Sequence, residues 1–441
     1  MNEVLIKGGQ LILALSILIL LHELGHFMAA KLFKVRVEKF YLFFNPGFSI
    51  FKFTVGETEY GLGWLPLGGY VKISGMIDES MDKEQMKLPP QPWEFRSKPA
   101  WQRLIIMLGG IIMNVVLGIF IYWMILFFDG ELYVPNANLT YGIAVDSTGA
   151  SLGFQNGDRI VGIDGKLIEN FNKVPGIIIL NMDQVVKVER NGQQVDIPIT
   201  GDQIKEILDS KSGTDFISIR FPFVINDVSS GTPAKKINLQ PGDVIVAINN
   251  QPAIFYDEAR KLQDGNKDKE ISLTFFRKGH LITEKVKLPS DGLLGVHPVP
   301  LDKFFTTNHI HYGFFAALPA GINRAYETLS KYIKSFALIF SPKVQGYKHL
   351  GGFIAIANAF PGEWDWITFW ELTAWLSIAL AFMNLLPIPA LDGGHVLFTL
   401  VEMVTRRKPS DKFLEYAQIA GMIILFALLI FANGNDIMRL F

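Results

Sequence analysis

The sequence contains no cysteine, so disulfides, thiolate catalysis and cysteine ligands for a metal ion are all excluded. Any bound metal must be held by aspartate, glutamate or one of only 8 histidines. A basic excess is also missing: the formal net charge is -1, which argues against a nucleic-acid-binding protein. What remains is an apolar chain of 441 residues, 49% of them hydrophobic. Such a composition favours a membrane protein with several spans and a soluble insert.

Four stretches have the length and apolarity of a bilayer crossing of about 20 residues: residues 4–30, 104–128, 372–400 and 416–432. The first could instead be a cleaved signal peptide, but its lysines and arginine follow the apolar run rather than precede it. Positive charge also clusters before the second stretch and after the third. By the positive-inside rule these flanks are cytoplasmic. We therefore expect both termini, and the long segment between the second and third spans, on the opposite face.

A further apolar stretch, residues 314–340, carries charged and polar side chains along its length. These are Asn323, Arg324, Glu327, Lys331 and Lys334. Such a pattern favours an amphipathic helix lying on the membrane surface over a fifth span. We place it in a surface region covering residues 303–365, either beside an entry gate of the membrane part or as a tether between the soluble and membrane parts.

The long segment between spans contains an internal repeat. QNGDRIVGID at residues 155–164 reappears as QPGDVIVAIN at residues 240–249. In each copy a Gly-Asp turn leads into an alternating apolar strand and a second turn, which resembles circularly permuted PDZ domains of bacterial proteases. We predict two such domains, at residues 131–215 and 216–302, whose grooves accept a peptide strand or the C-terminus of another protein. An unrelated pair of β domains used as spacers is the alternative.

The HELGH sequence at residues 22–26 matches the HExxH motif. His22 and His26, four residues apart on a helix, lie on one face and can share a metal ion. Glu23 flanks that position and suits a base that takes a proton from water. Because these side chains are costly inside an apolar span, a functional site is favoured over two structural histidines. Gly8 lies about 21 Å before His22 on such a helix, which places the metal in the cytoplasmic half of the bilayer.

Two histidines are one ligand short, because catalytic zinc usually keeps three protein ligands. Asp392 is the candidate, in the sequence NLLPIPALDGGH at residues 384–395. Pro387 and Pro389 break the third span just before this carboxylate, and unwound backbone at membrane depth is tolerated only beside protein or water. His395 is a competing ligand, and Asp392 could instead cap the helix that resumes there.

Residues 54–74 combine turn glycines with aromatic and branched side chains, which is typical of a β-hairpin. We expect its edge, including Gly68 and Gly69, to bind the substrate. A helix in lipid has its backbone hydrogen bonds satisfied internally, so unwinding it requires a replacement partner, and strand addition provides one. A plain connecting turn is the alternative.

HELGH in the first span, the repeated domains and NLLPIPALDGG in the third span together resemble the site-2 protease family of intramembrane zinc metalloproteases. The resemblance covers nearly the whole chain. It implies a zinc ion bound by His22, His26 and Asp392, with Glu23 activating water and Asn384 near the bound substrate. One departure is that Ile111 follows Gly110 where the family often has proline in its GPxxN motif, although Asn114 remains.

The resemblance also implies a location and partners. The protein would lie in a bacterial inner membrane, with the PDZ domains and both termini in the periplasm. Its substrates would be single-pass membrane proteins: an anti-sigma factor after a first external cut, and remnant signal peptides. This activity would belong to regulated intramembrane proteolysis in the envelope stress response, and nucleic acid would have no part in it.

The predicted fold is a multi-domain membrane protein with four transmembrane α-helices, a β-hairpin insert and two tandem circularly permuted PDZ domains. The first two helices and HELGH occupy residues 1–128, and the last two helices with the LDGG sequence occupy residues 366–441. Two rival functions are a membrane-anchored PDZ scaffold, in which the metal site is vestigial or purely structural, and a metal transporter that uses the same ligands. The HExxH spacing and two peptide-binding domains disfavour the transporter.

Overall fold

The computed structural model describes residues 2–66, 68–76, 89–210 and 213–439. Residues 1, 67, 77–88, 211–212 and 440–441, and the parts of the predicted regions that fall on them, lie outside the described residues. The chain divides into two compact units. Unit 1 comprises Met1–Gly130, His311–Ala337 and Tyr347–Phe441, and unit 2 comprises Glu131–Ile310 and Leu338–Gly346.

Helices dominate unit 1, and short strands with short helices make up unit 2. The α-helices are α1 (Asn2–Leu32), α2 (Ala100–Phe128), α3 (Ser147–Ser151), α4 (Val174–Leu180), α5 (Gly201–Asp209), α6 (Pro233–Lys236), α7 (Tyr256–Asp264), α8 (Phe314–Ile339), α9 (Phe353–Ala359), α10 (Trp366–Leu385), α11 (Asp392–Thr405) and α12 (Asp411–Met438). The strands are β1 (Val37–Leu42), β2 (Phe51–Val55), β3 (Thr58–Leu62), β4 (Tyr70–Ile73), β5 (Glu131–Tyr133), β6 (Ile143–Val145), β7 (Arg159–Ile163), β8 (Gln184–Arg190), β9 (Gln193–Ile199), β10 (Ile217–Ile219), β11 (Ile225–Val228), β12 (Val244–Ile248), β13 (Gln251–Pro252), β14 (Glu270–Arg277), β15 (His280–Lys287), β16 (Val296–Pro298) and β17 (Asn308–Ile310).

Among the described residues, four helices are long and apolar enough to cross a membrane: α1, α2, α10 and α12. The prediction of four helices with the length and apolarity of membrane spans is therefore confirmed, although one of them differs in extent. The third predicted stretch, residues 372–400, is divided in the structure between α10 and α11. The break falls at residues 386–391, which contain Pro387 and Pro389, because proline removes a backbone donor and clashes with the preceding turn.

Helix α8 covers nearly all of the predicted amphipathic stretch and is not among the four candidate spans of the described residues. Part of its polar face packs against other helices. The guanidinium of Arg324 lies 2.7 Å from the carboxylate of Glu371 on α10, and the hydroxyl of Thr328 lies 3.2 Å from that of Tyr122 on α2. Helix α8 is thus joined to two spans by polar contacts, and its position on a membrane surface stays a prediction.

The sheet of unit 1 has the strand order β2-β3-β1-β4. Strands β2 and β3 form a hairpin, whereas β1 runs parallel to β3 and antiparallel to β4. The prediction of one hairpin over residues 54–74 is therefore wrong in its pairing. Strand β1 comes from outside that range and inserts between β3 and β4, where it buries Val37 and Tyr41. Strand β4 is left at the edge of the sheet, and among the described residues β1 is the one strand that pairs with it.

Helices α1 and α2 make direct backbone contact at a pair of glycines. A Cβ atom on Gly25 would lie 2.2 Å from the carbonyl oxygen of Gly109, and one on Gly109 would lie 2.5 Å from that of Gly25. Small residues permit such close packing between helices in lipid, where the hydrophobic effect does not drive association. The contact brings α2 against His26, the residue that follows Gly25.

Unit 2 consists of two halves, each with its own buried core. The first half contains the sheet β7-β8-β9, and the second contains β13-β12-β14-β15. The repeated Gly-Asp turns have the same partners in both halves: Arg190 Nε donates to Asp158 at 2.8 Å, and Arg277 Nε donates to Asp243 at 2.7 Å. Both carboxylates are 1% exposed. The repeat in the sequence is therefore also a structural repeat.

Candidate metal centre

Three donor atoms from α1 and α11 form a small triangle in unit 1. The Nε2 atoms of His22 and His26 lie 3.3 Å apart, and Asp392 Oδ2 lies 3.2 Å from the first and 3.1 Å from the second. Among the described residues, this is the group of histidine and acidic side chains that could hold a metal ion. The structure thus brings together the three residues that the sequence predicts as ligands.

The triangle has the dimensions of a zinc site. Ligand atoms about 2.0–2.1 Å from a tetrahedral ion lie about 3.3 Å from one another, close to the three observed separations. Two imidazole nitrogens and one carboxylate oxygen also match the donor set of catalytic zinc, which leaves a fourth position for water or substrate. Both the chemistry and the spacing of these residues therefore fit zinc.

Helix α2 packs against one side of the two imidazole rings. The Nδ1 atom of His26 lies 2.8 Å from the carbonyl oxygen of Ile106, so this nitrogen carries a proton and Nε2 is left for the metal. The Nδ1 atom of His22 lies 3.0 Å from the side-chain amide of Asn114. Between them, Gly110 leaves room for the rings, because a Cβ there would come within 2.4 Å of His26 Nε2. Residues 106, 110 and 114 follow one face of the helix.

The carboxylate of Asp392 is positioned by the break between α10 and α11. Asp392 is the first residue of α11, Leu391 occupies the N-cap, and the carboxylate is directed at the histidines rather than used as a cap. Just before it, Ala390 has a φ of 75°, and its backbone amide donates to Gln418 Oε1 of α12 at 3.2 Å. Helix α12 therefore supports the loop that carries the third donor.

A cavity of about 670 Å³ opens beside the triangle. The predicted substrate-binding residues Gly68, Gly69 and Asn384 all line it, as do Glu23 and His395. The Nδ2 atom of Asn384 lies 3.4 Å from His22 Nε2. His395 lies outside the group of three donors, so the described residues do not support it as the competing ligand.

Sequence reasoning missed the support that surrounds the donors. No motif points to Gln418, and the motif that contains Asn114 assigns it no role. Both are amide side chains within strongly apolar helices, where each buried polar group needs a protein partner. That signal is present in the sequence. The backbone carbonyl of Ile106 leaves no such signal in the sequence, since any residue would provide the same oxygen.

Similarity to known proteins extends over nearly the whole chain. The sequence model of peptidase family M50 matches residues 10–428. A regulator of sigma-E protease from Salmonella typhimurium is 28% identical over 469 aligned positions, which cover 100% of both chains. A protein of Vibrio cholerae named as a zinc metalloprotease is 28% identical over 470 positions, again with 100% of both chains covered. Another protein of that name, from Treponema pallidum, is 26% identical over 451 positions, or 98% of each chain.

The geometry predicts which substitutions remove the metal. Replacing His22, His26 or Asp392 with alanine takes away one of three donors, so each variant should retain far less than one zinc ion per chain after dialysis. Zinc content measured by elemental analysis of the purified full-length protein checks this expectation.

The matched control is His395→Ala, which changes another histidine that lines the same cavity. It should keep the zinc content of the unchanged protein. Loss of zinc from His395→Ala with retention in Asp392→Ala would reverse the assignment of the third donor.

Proposed function

The chain belongs to peptidase family M50 and is a zinc metalloprotease, and from this premise we propose that it hydrolyses peptide bonds inside the transmembrane segments of single-pass membrane proteins. One observation carries the proposal. The two histidines of the metal-binding triangle lie within α1, a helix that is long and apolar enough to span a membrane. His22 stands about 15 Å before the last residue of that helix. A substrate must therefore bind to this site within the bilayer.

We propose His22, His26 and Asp392 as the zinc ligands. Zinc bound there supplies Lewis-acid polarisation of the scissile carbonyl and lowers the pKa of a water molecule. The protein's own contribution is the fixed triangle of donors, held by α2 on one side and by the loop before α11 on the other.

Glu23 is the proposed proton acceptor. It lines the cavity next to both histidines, and its carboxylate interacts with the backbone amide of Val71 on β4. A carboxylate in this place can take a proton from water and return it to the leaving amine. Asn384, on the same cavity, is placed to hydrogen-bond the substrate backbone close to the bond that is cut.

Strand β4 offers the substrate a backbone partner. Its residues Tyr70–Ile73 line the cavity, together with Gly68 and Gly69, and among the described residues no strand pairs with the side of β4 opposite β1. A transmembrane helix has to unwind before it can be cut, because its peptide bonds are protected by intrahelical hydrogen bonds. Pairing with this side of β4 replaces those hydrogen bonds and presents an extended chain.

For unit 2 we propose two circularly permuted PDZ domains that select substrates. The shared Asp-Arg pairs of its halves support a tandem repeat of one fold. A cleft of about 690 Å³ supports peptide binding, since it is lined by α4 and by β10, whose side opposite β6 is unpaired among the described residues. An extended segment or terminus of the substrate would bind there by strand addition.

The substrates and orientation follow from likeness and charge. The Salmonella relative is named a regulator of sigma-E protease. On that likeness we infer an anti-sigma factor, shortened by a first external cut, as the substrate in an envelope stress response, with remnant signal peptides as a second class. The basic flanks of the spans favour a cytoplasmic position for the metal half of α1 and a periplasmic one for both termini and the PDZ domains. Helix α8 would then lie at the membrane surface.

The proposal predicts the effect of removing the base while keeping its shape. Glu23→Gln should lower the rate of cleavage of a single-span substrate in detergent by about 10²–10⁴-fold, because glutamine cannot accept the proton. Zinc content should stay unchanged. Glu57→Gln, at an exposed turn between β2 and β3, is the control and should cleave normally. Full activity of Glu23→Gln would favour the membrane-anchored scaffold instead.

The β4 proposal predicts a pattern of cross-links. Because the chain has no cysteine, Lys72→Cys on β4 introduces a unique thiol. In the Glu23→Gln background it should form disulfides with cysteines scanned along the substrate segment, with yields that alternate every second position as expected for a strand. Lys52→Cys, on the opposite edge strand β2, should give no such pattern. Equal yields from both sites would refute strand addition at β4.

The proposed binding of substrate in the cleft of unit 2 can be tested by filling the cleft with a large side chain. Gly176 on α4 lines the cleft, and a Cβ atom there would meet nothing within 4 Å, so Gly176→Trp should fold and obstruct the cleft. Cleavage of the externally shortened substrate should fall about tenfold, since an added strand contributes on the order of 1–2 kcal/mol through a few hydrogen bonds. Asp202→Trp, at an exposed position on α5, is the control. Equal cleavage by both variants would leave unit 2 without a peptide-binding role.

A further inference from the structure

The side chain of Asn114 is fully buried within α2, with an exposed fraction of 0%. Its Nδ2 atom lies 3.0 Å from the Nδ1 atom of His22, and its Oδ1 atom has no hydrogen-bond partner in the described part of the chain. A buried polar atom without a partner costs about 1–3 kcal/mol, so an asparagine here needs a compensating role.

Which amide atom faces the ring follows from the chemistry of the histidine. An amide nitrogen facing His22 donates a hydrogen bond, which requires a lone pair on Nδ1 and places the ring proton on Nε2. That proton would point into the triangle of donors, where His26 Nε2 and Asp392 Oδ2 lie within 3.3 Å. An amide oxygen facing the ring accepts a proton from Nδ1 and leaves Nε2 free. The two amide atoms have the same shape, so the hydrogen-bond network decides between them.

His26 provides the precedent within the same site. Its Nδ1 atom faces a carbonyl oxygen, that of Ile106, which can only accept. Metal-ligating histidines generally donate their second ring N–H to such an oxygen, which fixes the tautomer and the ring orientation. Ile106 and Asn114 lie two turns apart on one face of α2, so the helix can offer each ring one oxygen once the amide of Asn114 is turned over.

The backbone around Asn114 is held in place from a second helix. The hydroxyl of Ser377 on α10 donates to the carbonyl oxygen of Asn114 at 2.8 Å, and Ser377 is itself 0% exposed. On the preceding turn, Gly110 leaves the space that both rings occupy. We infer that Asn114 is a positioning residue whose amide is turned by 180° when the metal is bound, so that Oδ1 takes the place of Nδ2 beside the ring. There Oδ1 accepts a hydrogen bond from His22 Nδ1–H and so directs His22 Nε2 at the metal. The inference rests on the proposed metal site.

The test compares two substitutions in the full-length protein in detergent, freed of metal and titrated with zinc against a competing chelator. Asn114→Leu keeps the shape but cannot hydrogen-bond, so its zinc affinity should fall about 10–100-fold. Asn114→Asp keeps only acceptors and should bind zinc at least as tightly as the unchanged protein. Thr373→Val is the control, because Thr373 is equally buried on α10 but bonds only within its own helix, and its zinc affinity should not change.

A spectroscopic measurement follows the tautomer itself. Nitrogen-15 spectra of histidine-labelled, zinc-loaded protein should show a proton on His22 Nδ1 in the unchanged protein and in Asn114→Asp, even if Asn114→Leu fails to fold. Unchanged zinc affinity in Asn114→Leu, or a loss in Asn114→Asp, would overturn the inference. If the unchanged protein bound no zinc, the proposed metal site itself would be refuted.

Discussion

Every polar group inside the apolar helices has to find its partner within the protein, because lipid offers neither donors nor acceptors. The proposed metal centre is built around that constraint. Its donors come from α1 and α11, and the groups that hold them come from α2 and α12. The close contact of Gly25 with Gly109 is what lets α2 approach near enough to serve both imidazoles. The site therefore requires the close packing of α1 against α2.

The donors themselves could be predicted from local sequence. Their signals are a spacing of four on a helix, and a carboxylate beside two prolines in an otherwise apolar span. The supports could not be assigned in the same way. Whether Asn114 reaches His22, or Gln418 reaches the amide of Ala390, depends on how separate helices cross, and periodicity within one helix carries no information about crossing. A lone amide in a span indicates only that some partner exists.

The two β regions also differ in whether their structure depends on neighbouring residues in the sequence or on contacts between distant segments. In unit 2 the repeated turns were recognisable because the glycine, the aspartate and the strand that follows are adjacent in sequence. In unit 1 the pairing of β1 between β3 and β4 was missed, since a parallel neighbour leaves no turn signal between the strands it joins. The error matters for function. With β1 in the middle, β4 becomes the edge strand that lines the cavity next to Glu23.

The two ends of the triangle lie 366 residues apart, which makes the order of synthesis relevant. At about 5–20 residues per second, a ribosome needs roughly 20–70 s to travel from the histidines of α1 to the aspartate of α11. Throughout that interval the nascent polypeptide has two donors without the third. The triangle of donors therefore cannot assemble until α11 has been synthesised.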